Sequence, residues 1–266
     1  MTITVLVDNN TYIDQYFRGE PALCCWLEDE DRRILFDTGY SDLLLQNAAA
    51  MGIDLSTTTQ VVLSHGHNDH TGGLLPFLQA YSQPVRIWAH PDAFLPKRFD
   101  GLSVGVPFDP ATLPAHAELH LTREPAALVP GVLFLGEIPR KNPQEAPPVG
   151  ETLRCGAWEP DRLLDDTALA LTTGNGLFLL TGCSHAGICN MLQHALSLTD
   201  ETRVAGVLGG LHLFEPGEQL DFVLVRLAEL GASTLYPCHC TSLAVKHALC
   251  DAFDVHEVGV GLSLTL

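Results

Sequence analysis

Six consecutive residues, His65-Gly66-His67-Asn68-Asp69-His70, place four metal-binding side chains at the spacing H-x-H-x-D-H. Three imidazoles and a carboxylate suit zinc, iron or manganese through nitrogen and oxygen. The apolar run Gln60-Val61-Val62-Leu63 leads straight into them, and Thr71-Gly72-Gly73-Leu74 follows. That order predicts a buried strand, a loop and then a helix start. α/β proteins place their chemistry on loops at the C-terminal ends of strands. A fold for this chain therefore has to present this loop at a strand end and bring further ligands to it. A merely solvated polar loop is the alternative, and four potential ligands directly after a strand argue against it.

The chain has 266 residues, 46% of them hydrophobic and 17% charged, which fits a globular protein with a substantial core. Its 14 basic and 32 acidic residues give a net charge of −18. Such a surface repels phosphate backbones and anionic membranes, so neither nucleic acid nor membrane is expected as a partner. Residues 1–8 read as a first strand rather than a signal peptide. No apolar run approaches the ~20 residues that span a bilayer. Together these predict a cytoplasmic protein. Of eight cysteines, Cys24 and Cys25 are adjacent, while Cys183, Cys238 and Cys240 sit in histidine-containing loops. This placement predicts thiols rather than a disulfide framework, some of them near the metal.

Strands alternate with helices along the chain. Segments 22–28 and 33–37 flank a polar turn at 29–32 and read as a hairpin. A helix over 42–51 is stopped by Gly52, and a strand at 60–63 precedes the metal motif. A helix at 74–82 and a strand at 85–89, ending at His90, follow. From about 91 to 160 prolines break any long element, and only 128–135 reads as a strand. The rest of 91–160 is expected to be an irregular, Pro-rich insertion placed to cover the site. Strands at 167–172 and 177–180 form a hairpin around Gly174-Asn175-Gly176. Then come a helix at 189–197, a strand at 204–208, a helix at 219–230, a strand at 234–236 and a last long helix at 242–250. The chain thus reads as one α/β domain spanning 1–266. Two sheets packed face to face, with helices outside, would bury these apolar strands on both faces.

Three further histidines share one context, each just past a predicted strand. They are His185 in Thr181-Gly182-Cys183-Ser184-His185-Ala186-Gly187, His212 in Gly209-Gly210-Leu211-His212-Leu213, and His239 in Pro237-Cys238-His239-Cys240-Thr241. Nearby glycines permit close approach of backbone to a metal or ligand. By contrast His116, His120, His194, His247 and His256 lie in helical or irregular stretches and read as surface or core residues. His90 stays ambiguous. His65, His67 and one further histidine would hold one ion; Asp69, His70 and another would hold a second. Two ions about 3.5–4 Å apart bridge a hydroxide and make it nucleophilic at neutral pH.

These residues resemble the metallo-β-lactamase superfamily, whose signature is matched by His65-x-His67-x-Asp69-His70. The resemblance implies a four-layer αββα sandwich with a di-metal site between the sheets. It also implies that Asp37, in Ile34-Leu35-Phe36-Asp37-Thr38-Gly39, supports the metal loop. The segments SHGHNDHTGGL, GEIPR (136–140), TGCSHAG, GGLHL and PCHC together are similar to a subgroup named after dihydropterin-ribofuranosyl-aminobenzene-5′-phosphate synthase. These segments lie between residues 64 and 240, and the resemblance extends over nearly the whole chain, from about residue 3 to 261. Most superfamily members supply a bridging Asp at a strand end in the second half, whereas the strand 177–180 here ends in Thr181-Gly182-Cys183-Ser184-His185. Cys183 in that position is either a soft ligand favouring zinc or a small buried residue.

The expected function is a metal-dependent hydrolase, using a metal-activated hydroxide on a small anionic or heteroaromatic substrate of pterin-like, phosphorylated type. Asp69 is the catalytic candidate, able both to ligate and to orient the hydroxide. The metal ligands are His65, His67, Asp69, His70, His185, His239 and His212, the last being either a ligand or a substrate contact. Arg140 and Cys183 are the candidate substrate contacts. The cofactor is expected to be two divalent transition-metal ions, zinc foremost, with iron or manganese as alternatives. Against this stand a metal-binding regulatory module with little turnover, and a nuclease of the same fold, which the acidic balance disfavours. A di-iron electron-transfer protein would need a flavin domain for which no chain remains. Oligomeric state is open, a homodimer included.

Overall fold

The computed structural model describes residues 1–30 and 32–266; Asp31, in the expected 29–32 turn, lies outside the described residues. The chain divides into two compact units. The first comprises residues 1–123, 148–161 and 259–265; the second comprises 124–147, 162–258 and residue 266.

In the first unit a seven-stranded mixed sheet runs in the order Ser263–Thr265, Thr2–Val7, Cys24–Asp29, Arg32–Phe36, Gln60–Val62, Val85–Ala89, Ala117–Leu121. The expected hairpin is present, its register running from Cys25↔Phe36 to Asp29↔Arg32. From Arg32–Phe36 onward the pairings become parallel. Parallel strands are covered on their faces by crossover helices, so they read as continuous apolar runs. Val61, Val62 and Leu63 are accordingly fully buried. The helices Leu43–Met51 and Leu74–Ala80 bring Leu44, Ala48, Leu74, Phe77 and Leu78 into the same apolar cluster as Leu35, Val61 and Ile87. Gly52 ends the first of them at φ 73°, its N–H donating to the carbonyls of Ala48 and Ala49.

Two expectations change here. The stretch 91–160 is not irregular throughout. Lys97–Phe99, Leu102–Ser103, Glu151–Arg154 and Ala157–Pro160 form a separate four-stranded sheet, and Ala117–Leu121 is an edge strand of the main one. None of these strands exceeds five residues. Between the prolines no alternation persists long enough to be read. The metal motif, expected as a loop, also closes into a helical turn at Asn68–Thr71, with His67 as its extended N-cap.

The second unit has its own seven-stranded sheet. Its order is Asp254–Val255, Thr234–Pro237, Val204–Gly209, Gly176–Thr181, Ala168–Thr173, Val132–Phe134, Ala126–Val129. The predicted strand at 128–135 is in fact a hairpin, turning at Pro130-Gly131 with φ 81° at Gly131. The helix Ile188–Thr199 buries Ile188, Met191, Leu192 and Ala195, the one-face spacing of an amphipathic helix, in a cluster with Leu179, Val207 and Leu235. Glu218–Glu229 and Leu243–Cys250 contribute Leu220, Val223, Leu227, Val245 and Leu249 to it. Among the described residues no helix is long and apolar enough to cross a membrane, and no disulfide joins the cysteines.

Candidate metal centre

The strand Gln60–Val62 delivers Ser64 and His65, fully buried, at its C-terminal end. Gly66 follows because nothing larger fits: a Cβ there would collide with the Ala93 carbonyl. The backbone N–H of Asn68 donates to Val104 O at 2.8 Å, and His67 bridges to Gly105. The motif is thus held between the 90–94 turn and the 104–105 segment.

Asp37 stands at the centre of this arrangement. It follows the strand Arg32–Phe36 with φ 55° and is fully buried. A non-glycine residue in that region is uncommon and costs energy that the surroundings must supply. Its Oδ1 accepts the Ser64 N–H at 2.7 Å, and its Oδ2 accepts the Ser64 hydroxyl at 2.7 Å. Oδ2 also lies 2.7 Å from His70 Nδ1. The serine proton being committed to Asp37, Ser64 Oγ can only accept from His65 Nδ1, 3.0 Å away. Both rings are therefore held in the tautomer that leaves the Nε2 lone pair unprotonated. His65 Nε2 points to within 3.0 Å of His67 Nδ1, and His70 Nε2 lies 3.8 Å from Asp69 Oδ2. The His65 and His70 rings are 4.3 Å apart between centroids. Burial pushes the His70 imidazole down, but the Asp69 and Asp37 carboxylates push it up by more, and the net shift is upward.

In the second unit three adjacent parallel strands, Gly176–Thr181, Val204–Gly209 and Thr234–Pro237, end side by side. Past their ends lie Cys183 and His185, then His212, then His239 and Cys240. Gly209, at φ 140°, packs against the Thr181 carbonyl so closely that a Cβ would collide with it. Ser184, His212 and His239 all have positive φ, of 59°, 48° and 49°. Ser184 Oγ donates to Gly210 O at 2.7 Å, and Leu211 N donates to Thr241 Oγ1 at 3.0 Å. The His185 and His212 rings lie 4.2 Å apart. Cys183, His239 and Cys240 offer donor atoms that all fall within 4.8 Å of one another. Imidazole, thiol and carboxylate donors are those a divalent transition metal takes, and the oriented Nε2 atoms of His65 and His70 fit such an ion.

Arg140 is in the second unit. Its Nη2 donates to Arg162 O at 2.7 Å and Leu163 O at 2.5 Å. Burial lowers its pKa, with Asp166, Asp165 and Glu137 opposing. His116 and His194 each donate from Nε2 to a backbone carbonyl, at Leu78 O and Leu135 O, as structural histidines do. His90 is resolved as well: it is fully buried, its Nδ1 accepts the Asp92 N–H, and its Nε2 lies 3.1 Å from Arg123 Nη1. Cys24 and Cys25 stay protonated, since burial raises both thiols far above their ordinary value. Sequence inspection passed over Ser64, whose only signal is its place between the strand and His65. It also passed over Asp92 with Arg123 and Arg154, at 2.7 and 2.8 Å, because these partners are far apart in the chain.

The sequence model of the metallo-β-lactamase superfamily matches residues 18–239. The chain is 30% identical over 234 residues to the 7,8-dihydropterin-6-methyl-4-(β-D-ribofuranosyl)-aminobenzene-5′-phosphate synthase of Methanocaldococcus jannaschii, covering 84% of this chain and 80% of that protein. A crystal structure of Tm1679, described as a metal-dependent hydrolase of the β-lactamase superfamily, is 30% identical with a TM-score of 0.87, covering 100% of this chain and 99% of that one. Zinc-bound PqqB from Methylobacterium extorquens is 14% identical with a TM-score of 0.62 over 100% of both chains, a likeness of fold alone.

Proposed function

The chain belongs to the metallo-β-lactamase superfamily, and from that premise we propose that it is a metal-dependent hydrolase of a small anionic or heteroaromatic substrate, of phosphorylated, pterin-like type. The α/β fold is that of its structural neighbours, and the family implies a divalent metal. The observation that carries the proposal is the Asp37–Ser64 network, which turns the Nε2 lone pairs of His65 and His70 toward one ligand set. His65, His67, Asp69 and His70 supply ligands from the first half. His185, His239 and His212 are the proposed ligands of the second unit, with two ions, zinc foremost, as cofactor.

A divalent metal held by these residues would supply a nucleophilic hydroxide at neutral pH and would stabilise negative charge developing on the scissile group. The chain's own residues do the rest. Asp37 fixes the tautomer of His70 directly and that of His65 through Ser64. Asp69, whose side chain is 27% exposed, is the carboxylate placed to orient the attacking water and hold a proton. Arg140 is a proposed substrate contact. The name of the M. jannaschii relative supports the pterin-like, phosphorylated substrate.

The test is turnover by metal-replete protein across phosphoesters, lactones and thioesters. Hydrolysis of at least one class is expected. Outer partners of metal ligands alone are worth about 10–100-fold, so His67→Ala or Asp69→Ala should cost at least about 100-fold. Activity that survives both substitutions would show the metal mechanism to be wrong. Stable metal binding with no turnover on any class would favour a regulatory module.

A further inference from the structure

We propose that Cys183, His239 and Cys240 form a thiolate-rich metal position, selective for thiophilic divalent ions such as zinc or cadmium over manganese or magnesium. All three residues lie in the second unit, past the ends of neighbouring parallel strands. One donor atom from each falls within 4.8 Å of the others. Zinc bonds of about 2.0–2.3 Å in tetrahedral geometry put nitrogen and sulfur donors about 3.6–3.8 Å apart, so small side-chain rotations close the set.

Cys240 Sγ is held in place: it accepts the His212 N–H at 3.3 Å, and its S–H donates to the Cys183 carbonyl oxygen at 3.6 Å. Gly210 leaves the room this sulfur needs, since a Cβ there would strike Cys240 Sγ. Cys183 is 3% exposed, and the positive φ at Ser184 and His239 beside these donors is strain kept by a tightly bonded frame. On binding, each thiol releases its proton to solvent and the sulfur bonds the ion. Two sulfurs and a nitrogen leave a fourth position open, and sulfur donors select zinc-like ions where carboxylates admit magnesium or manganese. The inference rests on the proposed metal centre but not on hydrolysis.

Cobalt(II) titration of metal-free, full-length protein tests it. A sulfur-to-cobalt charge-transfer band in the near ultraviolet is expected. It should weaken in Cys183→Ser and in Cys240→Ser, vanish in the double variant, and persist in Cys155→Ser, where the thiol is exposed. His65→Ala, in the first unit, should keep the band. X-ray absorption on zinc-loaded wild-type protein serves where a variant fails to fold, and sulfur neighbours at about 2.3 Å are expected. A first shell of nitrogen and oxygen only, a band unchanged in the double variant, or a Cys183–Cys240 disulfide in the metal-loaded protein would overturn the proposal. A sulfur-bound metal in a protein without turnover would sustain it while defeating the hydrolase reading.

Discussion

Asp37 carries more of the centre than any single ligand. Its carboxylate accepts from Ser64 N, Ser64 Oγ and His70 Nδ1, with no exposure to water. Asp37→Ala leaves all these groups buried and unpaired, which should cost about 3 kcal/mol of stability by urea unfolding. It should also weaken metal binding about 10–100-fold by competition with a chromophoric chelator. Unaltered affinity would mean that the histidines orient themselves. Glu145 offers a pH test. Burial raises its carboxyl above the ordinary value, against hydrogen bonds from Cys189 and Asn190 that lower it. A raised folded-state pKa gives stability that is full below the unfolded value and lost as pH rises through the folded one. Glu145→Gln cannot lose a proton there. Its stability relative to wild type should therefore climb as pH rises from acid to neutral, and a constant difference across urea melts at several pH values would refute the assignment.

At the scale of elements, the strand that feeds the motif and the turn that holds it can be tested separately. Gly66→Ala drives a Cβ into the Ala93 carbonyl. It should lower metal affinity at least about tenfold while the far-UV circular dichroism stays that of the wild type. In the second unit, Ser242 Oγ accepts from Val245 N at 3.2 Å as the N-cap of Leu243–Cys250. Ser242→Ala should cost about 1 kcal/mol, read by urea unfolding. These elements were legible in the sequence because each is long or punctuated. Gly52, Ser242 and the apolar run 60–63 announce their helices and strand. The hairpin at Ala126–Val129 and Val132–Phe134 merged into one strand, although Pro130-Gly131 is a turn signal. The small sheet stayed hidden because its strands are short and its central pairing, Lys97–Phe99 with Glu151–Arg154, joins residues more than fifty positions apart. The candidate ligands stood out locally, and Asp37 only through the family resemblance, because its bonds to Ser64 and His70 span about thirty positions of the chain.

For the molecule as a whole, a net charge of −18 should oppose the approach of a polyanion. An ion that binds only the folded chain stabilises it by mass action, about 2.7 kcal/mol at a hundredfold excess over its Kd. Chelation should therefore lower the thermal midpoint and added zinc restore it. The most direct check on the central claim is the metal content of the purified full-length protein by elemental analysis, beside that of His67→Ala. One or two divalent transition-metal ions per chain in the wild type, and a clear loss in the variant, is the predicted result. A wild-type protein that retains no such metal after exposure to zinc, or a variant that holds as much, would contradict it.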